Sequence, residues 1–297
     1  MTPAHQHPPQ QGKSPHHRDH GLGGHPEHDD AGQAEILDLD AEVLAEHLAS
    51  LTAWLPLRNA PGRIVDLGCG TGAGTFALLD RFPEARVTAV DTSAGHLRLL
   101  REKARARGVE ERVRTVRADL DTHPWPALGT PDLVWASASM HHLAHPDRAL
   151  AAVHELLAPG GLFAVVELAG FPRFLPPDAP GGRPGLEERA HAATDRFHAE
   201  HVPHRGADWG PMLTAAGFAV EGERTLTVRV EGDRDPAIAR YAHGSLRRIR
   251  GVAAPALSPE DLAALDALLD PDGPHSVLRR ADLAVRTERS VWAARRA

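Results

Sequence analysis

The sequence predicts an α/β fold built on a doubly wound, mostly parallel β-sheet. Apolar runs of strand length alternate along the chain with segments of helical periodicity, which is the pattern of parallel sheets. The first of these runs enters a glycine-rich loop, Gly68–Gly72, that leads directly into a helical segment. Acidic or polar residues follow several of the runs, at the strand ends where such sheets bind ligands.

The N-terminal segment differs in character from the rest. Residues 1–33 are polar, rich in Pro, Gly and His, and lack apolar periodicity, so they are predicted to form a disordered tail. Weak binding of Zn or Ni by its histidines is the alternative reading. A helix is predicted to start near Leu39-Asp40, because apolar residues recur at helical spacing up to about Trp54. Residues 34–297 are predicted to form a single domain.

Five apolar runs predict the parallel strands, and a helix over Pro146–Leu157 precedes the fifth. The runs cover Ile64–Leu67, Val87–Asp91, Arg112–Arg117, Asp132–Ala136 and Leu162–Leu168. Two excursions, at about 170–206 and 231–282, are predicted to be helical insertions that cover the cleft. Substrate specificity is expected there, because loops at strand ends carry the variable chemistry of such folds.

Composition narrows the classes of function. The 297 residues carry 40 acids and 33 bases, a net charge of −7, which argues against a nucleic-acid surface. The single cysteine, Cys69, excludes an internal disulfide and favours the cytoplasm. No run approaches the roughly 18 apolar residues of a membrane span, and the first residues of the sequence contain no apolar core of signal-peptide length. We therefore expect a cytoplasmic protein with no membrane partner, whose oligomeric state stays open.

The glycine loop and the acids around it predict a nucleoside-containing cofactor. Gly68, Gly70 and Gly72 let a ligand approach the main chain at an open helix N-terminus. Asp91 ends the second apolar run and lies 19 residues beyond Gly72. This is close to the roughly 20-residue offset at which an acid meets ribose hydroxyls. The alternative is that Asp91 caps the helix that starts near Ser93.

In their order along the chain, these segments resemble the class I S-adenosylmethionine-dependent methyltransferases. The resemblance spans about residues 36–296. It implies a Rossmann-like, doubly wound seven-stranded sheet with an antiparallel last strand, and S-adenosylmethionine as cofactor. Phe218–Val230 and Leu283–Arg295 would form the final pair of strands. The matching segments are Asp66-x-Gly68-x-Gly70-x-Gly72, Val90-Asp91, Ala118-Asp119 and Leu157-x-Pro159-Gly160-Gly161.

The resemblance also implies roles for individual residues. The glycine loop, including Cys69 as a small filler, would bound the methionine part of the cofactor, and Asp66 would lie near its amino group. Asp91, with Thr92 beside it, would accept hydrogen bonds from the ribose. The remaining contacts would be Asp119 with the adenine amine, Leu120 with the ring, and the main chain at Ser137 with the sulfonium side.

Three further groups of residues are open to more than one interpretation. His141 and His142 follow the fourth strand, where a general base would lie; packing under the cofactor is the alternative. His191, Asp195 and His198 share one helical face, which could line a substrate, bind a metal or face solvent. The basic cluster of Arg247, Arg248 and Arg250 favours a solvated helix face over a phosphate site. We predict no metal site.

The prediction for function is methyl transfer from S-adenosylmethionine to an O, N or C nucleophile of a small molecule. Two alternatives share the cofactor: methylation of RNA or protein, and cofactor binding without catalysis. A nicotinamide dehydrogenase is disfavoured by Asp66, by the Pro159-Gly160-Gly161 turn and by the expected final strand pair.

Overall fold

The computed structural model describes residues 26–178, 183–232 and 235–297, with side chains from Gly32 onward. Its centre is a seven-stranded sheet in the order β3-β2-β1-β4-β5-β7-β6. The strands are β1 (Arg63–Leu67), β2 (Arg86–Asp91), β3 (Val113–Arg117), β4 (Leu133–Ser137), β5 (Leu162–Leu168), β6 (Phe218–Glu231) and β7 (Ala284–Arg296). Strands β1 to β5 pair in parallel, and β7 is antiparallel to both β5 and β6. The predicted fold class is confirmed.

Helices cover both faces of this sheet. They are α1 (Pro26–Val43), α2 (Ala45–Trp54), α3 (Ala73–Arg81), α4 (Ala94–Ala106), α5 (Pro146–Leu156), α6 (Leu186–His201), α7 (Trp209–Ala215), α8 (Pro236–Ala253) and α9 (Pro259–Leu269). Successive residues of β1 enter different cores: Ile64 packs with α3 and α4, whereas Val65 packs with α5 and α7. Because both faces are buried, the strands appear in the sequence as continuous apolar runs.

The first helix begins earlier than its periodicity predicts. Helix α1 starts at Pro26 instead of near Leu39-Asp40, and a break at Leu44 separates it from α2. Residues 26–33 are therefore helical, where the sequence predicted part of the disordered tail. Packing of α1 against α8 accounts for the difference, because tertiary contact supports a helix whose own pattern is weak. The predictions for residues 1–25 lie outside the described residues.

The two excursions contain helices as predicted. Helix α6 occupies the first, and α8 and α9 occupy the second. Asp235 caps α8 by accepting from the Ala237 N–H at 2.8 Å, and Ser258 caps α9 by accepting from the Asp261 N–H at 3.1 Å. Helix α8 packs on α1, α6 and α9 and so links the insertions to the N-terminal cover. None of the helices described here combines the length and apolar character that crossing a membrane requires.

Candidate active site

A cavity of about 560 Å³ lies at the carboxyl ends of the central strands. It is found where the strand order reverses between β1 and β4, which is where doubly wound sheets bind ligands. Its volume is in the range of small-molecule sites. The predicted site residues that line it are Asp66, Gly68, Cys69, Gly70, Asp91, Thr92, Asp119, Leu120, Ser137 and His142. Gly72 and His141 do not line it.

The glycine loop is shaped by a close approach to the loop that follows β4. Gly68 has φ +67°, and a Cβ there would lie 2.3 Å from the Cβ of Ser139. The Ser139 hydroxyl donates to the Leu67 carbonyl at 2.9 Å and fixes this contact. Gly72 has φ +103° at the N-terminus of α3, so its role is in the turn itself and not in the cavity lining.

Asp91 connects two ligand-binding loops through its carboxylate. One oxygen accepts from the Gly70 N–H at 2.8 Å and the other from the Ser93 N–H at 2.8 Å. Ser93, not Asp91, is the N-cap of α4. Burial alone would raise the pKa of Asp91, but hydrogen bonds from His96, Ser93 and Gly70 outweigh it and lower the pKa. The carboxylate is thus ionised, and its remaining lone pairs are available to a ligand.

A second carboxylate, Asp66, lies beneath the loop. It is 2% exposed and accepts from the Thr75 hydroxyl at 2.6 Å. Burial raises its pKa to about 7 against the effect of that bond. The indole N–H of Trp135 is buried without a hydrogen-bond partner among the described residues. A Cβ on Gly74 would lie 2.6 Å from this nitrogen and 3.3 Å from Asp66 Oδ2, so the two polar groups are neighbours.

The loop after β3 closes another side of the cavity. Asp119 is exposed and accepts from the Asp121 N–H at 2.9 Å, while Leu120 is buried. Asp121 in turn accepts from the N–H groups of Ala144 and His145 at 3.0 and 2.9 Å. These bonds tie the loops after β3 and β4 together. Elsewhere in the lining, burial raises the pKa of the Cys69 thiol, which fits a filler and not a nucleophile.

The two adjacent histidines face different surroundings. His141 is 3% exposed, and its Nδ1 lies 2.5 Å from Glu167 on β5. Glu167 also accepts from the N–H groups of Ser139 and Met140 at 3.2 and 2.8 Å, so it fixes the whole loop. His142 lines the cavity, where desolvation and the charge of His141 lower its pKa to about 4. An acid inside an apolar strand is the one sequence signal that points to Glu167.

Helices and C-terminal strands complete the cavity on the other side. Asp40 on α1 accepts from the Tyr241 hydroxyl and from Arg289, both at 2.6 Å, which joins α1, α8 and β7. The sequence indicated this cover only as an amphipathic helix, and gave no signal for Arg289. The aliphatic lining consists of Leu37, Leu44, Leu48, Leu51, Val166, Leu226 and Val228.

The structure does not bring the remaining candidate residues, the histidines of α6 and the arginines of α8, together into one site. His191 and His198 are buried, and His198 Nδ1 lies 2.9 Å from Arg205. Within the described ranges, no group of three or more His, Cys, Asp or Glu side chains is arranged to hold a metal ion. Of the basic cluster, Arg250 pairs with Asp266 at 2.8 Å, whereas Arg248 lines the cavity.

Similarity to known proteins agrees with this geometry. Residues 64–161 match a family described as a methyltransferase domain. Malonyl-[acyl-carrier protein] O-methyltransferase of Laribacter hongkongensis is 35% identical over 55% of this chain and 52% of its own length. Trans-aconitate 2-methyltransferase of Methylobacterium nodulans is 35% identical over 61% and 66%. Demethylmenaquinone methyltransferase of Thermus thermophilus is 38% identical over 57% and 80%. The chain thus spans between half and four-fifths of these relatives.

A solved structure supports the same assignment at the level of the fold. A candidate methyltransferase from Bacillus halodurans C-125 superposes with a TM-score of 0.53 at 17% identity, over 84% of this chain and 98% of that one. The resemblance rests on the glycine loop, Asp66 in β1, Asp91 at the end of β2 and the antiparallel final strand. The chain belongs to the class I S-adenosylmethionine-dependent methyltransferases.

Proposed function

We propose that the protein transfers a methyl group from S-adenosylmethionine to an O, N or C nucleophile of a small molecule. The observation that carries the proposal is one cavity that joins the glycine loop and its acids to an aliphatic wall. The relatives that are named for trans-aconitate and demethylmenaquinone also act on small molecules. The −7 net charge disfavours RNA as the acceptor.

The polar groups of the cavity suit the parts of this cofactor. The ionised Asp91, with Thr92 beside it, is placed to accept from ribose hydroxyls. Asp66 offers an acceptor to an ammonium group, and the unpartnered Trp135 N–H offers a donor to a carboxylate. Asp119 and Leu120 are the candidates for the adenine, and the glycine loop and Ser137 for the methionine chain. When bound, the cofactor supplies a methyl group on a sulfonium, a good leaving group.

The protein's own contribution is mainly to position and enclose the acceptor. Side chains of α1 and α2 line one side of the cavity, and alignment of two reactants lowers a barrier by up to about 7–11 kcal/mol. His142 is the histidine placed to contact an acceptor. With a pKa of about 4 it is neutral at pH 7, so it accepts a hydrogen bond but is a weak base. His141 faces Glu167 and holds the loop in place.

Calorimetric titration with S-adenosylhomocysteine tests the cofactor site. We expect binding that Asp91→Ala weakens at least about 100-fold, because two charge-assisted hydrogen bonds are each worth roughly 1.5–3 kcal/mol. Asp272→Ala is the matched control, since Asp272 is exposed and outside the cavity. Equal affinities of the Asp91→Ala variant and the wild type would contradict the assignment.

A methyl-transfer assay over a panel of small acceptors then tests the activity. Turnover of any member excludes a purely non-catalytic role. A gel shift with total RNA at low salt separates the remaining alternative, because tight binding there would contradict the choice of a small acceptor.

A further inference from the structure

Two arginines, Arg248 and Arg289, line the cavity. Arg289 on β7 has a side chain that is only 12% exposed. One terminal nitrogen donates to Asp40 at 2.6 Å, while its Nε is buried and has no acceptor among the described residues. A guanidinium has two terminal nitrogens, and only one of those of Arg289 is bonded to Asp40, so the other remains available to a ligand.

The second arginine, Arg248, reaches the cavity from α8. It forms no ion pair within the described part of the chain, unlike Arg250 two residues later, which is paired with Asp266. Its positive charge acts on His142 and on His198, where burial and neighbouring charge already lower each pKa. The side chain of Arg248 is exposed, and it lines the same cavity as His142.

The surroundings of these two arginines carry further positive charge. Arg205 lies beside His198 and pairs with Asp195 at 3.7 Å, whereas Arg173 has a buried terminal nitrogen with no partner among the described residues. Burial and the charges of Arg173 and Arg205 lower the pKa of His191 to about 3.

The acids nearby are already engaged. Asp40 binds Tyr241 and Arg289, Glu187 binds main-chain N–H groups and pairs with Arg286, and Glu167 binds His141. By contrast, the acids Asp66, Asp91, Asp119 and Asp121 line the part near the glycine loop.

We propose that the acceptor is a carboxylic acid with an apolar body, and that Arg248 and Arg289 bind its carboxylate. The inference rests on the proposed function and names its substrate class. Two arginines with one carboxylate, Asp40, leave about one net positive charge, which suits a monoanion better than a phosphate dianion. The planar fork of arginine matches the two oxygens of a carboxylate. The aliphatic side chains of α2, β5 and β6 provide the surface for the apolar body.

Calorimetry on the protein saturated with S-adenosylhomocysteine tests this inference. The probes are butanoate, octanoate and dodecanoate, each compared with its uncharged amide. We expect at least one acid to bind about tenfold or more tightly than its amide, as one charge-assisted contact allows. Arg248→Gln should reduce this preference to about twofold or less and leave the affinity for S-adenosylhomocysteine unchanged.

The control is Arg247→Gln, which removes the same charge from the adjacent position of α8, outside the cavity. It should keep the preference for the acid. The inference is overturned if no acid binds better than its amide, or if Arg248→Gln keeps the wild-type preference. Failure to bind S-adenosylhomocysteine would count against the proposed function instead; the acid–amide comparison on the protein alone would still decide the substrate class.

Discussion

The cavity has two regions that are built in different ways. The cofactor edge consists of the segments 68–72, 92–93 and 118–121, each of which directly follows a parallel strand, together with Asp66 and Asp91 near the ends of β1 and β2. The acceptor wall combines α1, α2, α8, β6 and β7, and its central ion pair joins Asp40 to Arg289 across 249 positions of the chain. Local main-chain geometry therefore forms the first region, whereas long-range packing forms the second.

The hydrogen bonds of the two regions reflect this difference. At the cofactor edge, Asp91 and Asp119 accept from main-chain N–H groups of nearby loops. At the acceptor wall, Asp40 is held by two side chains from distant elements. Side-chain contacts of this kind change with single substitutions, whereas main-chain contacts do not, so substitutions can alter the wall without altering the edge. This separates a shared cofactor from variable acceptors.

The largest effect is expected for Gly68→Ala at the cofactor edge. The added Cβ would lie 2.3 Å from Ser139, in a residue with φ +67°. We expect the free energy of unfolding to fall by roughly 2–5 kcal/mol, from left-handed backbone strain plus overpacking. Urea denaturation measures this change, and the affinity for S-adenosylhomocysteine should fall with it.

Gly108→Ala provides the matched control. Gly108 has nearly the same φ, +66°, but a Cβ there meets nothing within 4 Å. Its cost should be only about 1–2 kcal/mol, from the backbone alone. Equal costs at the two positions would show that the contact between the loops after β1 and β4 does not constrain the cofactor edge.

Substitutions of the two adjacent histidines should have different, smaller effects on stability. His141→Gln should lower the free energy of unfolding by roughly 1–3 kcal/mol, because it removes the imidazole that pairs with one oxygen of the buried Glu167. His142→Gln should change it by about 0.5 kcal/mol or less, since His142 is open to the cavity. Instead, His142→Gln should raise KM for the acceptor. The reverse pattern would place His141, not His142, at the acceptor.

Asp66, at the cofactor edge, makes the free energy of unfolding depend on pH. Its folded-state pKa of about 7 lies above the ordinary 3.8, so between these values the folded protein holds a proton that the unfolded chain has lost. The free energy of unfolding must therefore fall as pH rises through this window, and level off above it. In Asp66→Asn this contribution is absent. Denaturation of both proteins at several pH values measures the difference, and parallel curves would contradict the shifted pKa.

The sequence predicted the cofactor edge well because its signals are local. Gly68, Asp91 and Asp119 each lie within two residues of the end of an apolar run, and a parallel sheet brings such strand ends together. All three line the cavity. Their roles toward the cofactor remain predictions until binding is measured. The motif predicts less about Gly72. From the sequence alone, a glycine that the turn requires cannot be distinguished from a glycine that lines the cavity.

Few residues of the acceptor wall could be predicted from the sequence. Nothing local in β7 distinguishes Arg289 from Arg286, although only Arg289 lines the cavity. Arg248 was interpreted as part of a solvated helix face, and it is exposed; only the packing of α8 shows that it also lines the cavity. Trp135 reads as a core residue of a buried strand, and only the tertiary structure shows its N–H without a partner beside Asp66.

The smallest effect concerns α1, which touches both regions. Asp38 binds the Thr71 hydroxyl and Lys103 at the cofactor edge, whereas Asp40, half a turn away, binds Arg289 at the acceptor wall. The Asp38 pair is partly exposed, so Asp38→Ala should weaken binding of S-adenosylhomocysteine by only about two- to fivefold, or up to about 1 kcal/mol. Glu42→Ala, an exposed acid on the same helix, should have no effect.

The acid–amide preference in the same Asp38→Ala variant decides how α1 couples the two regions. Because Asp40 keeps its own contacts to Tyr241 and Arg289, the preference should persist. Calorimetry with both ligands on one protein sample measures the two affinities together. Loss of both would mean that α1 closes over the cavity as one rigid unit, so that the cofactor edge and the acceptor wall cannot vary independently.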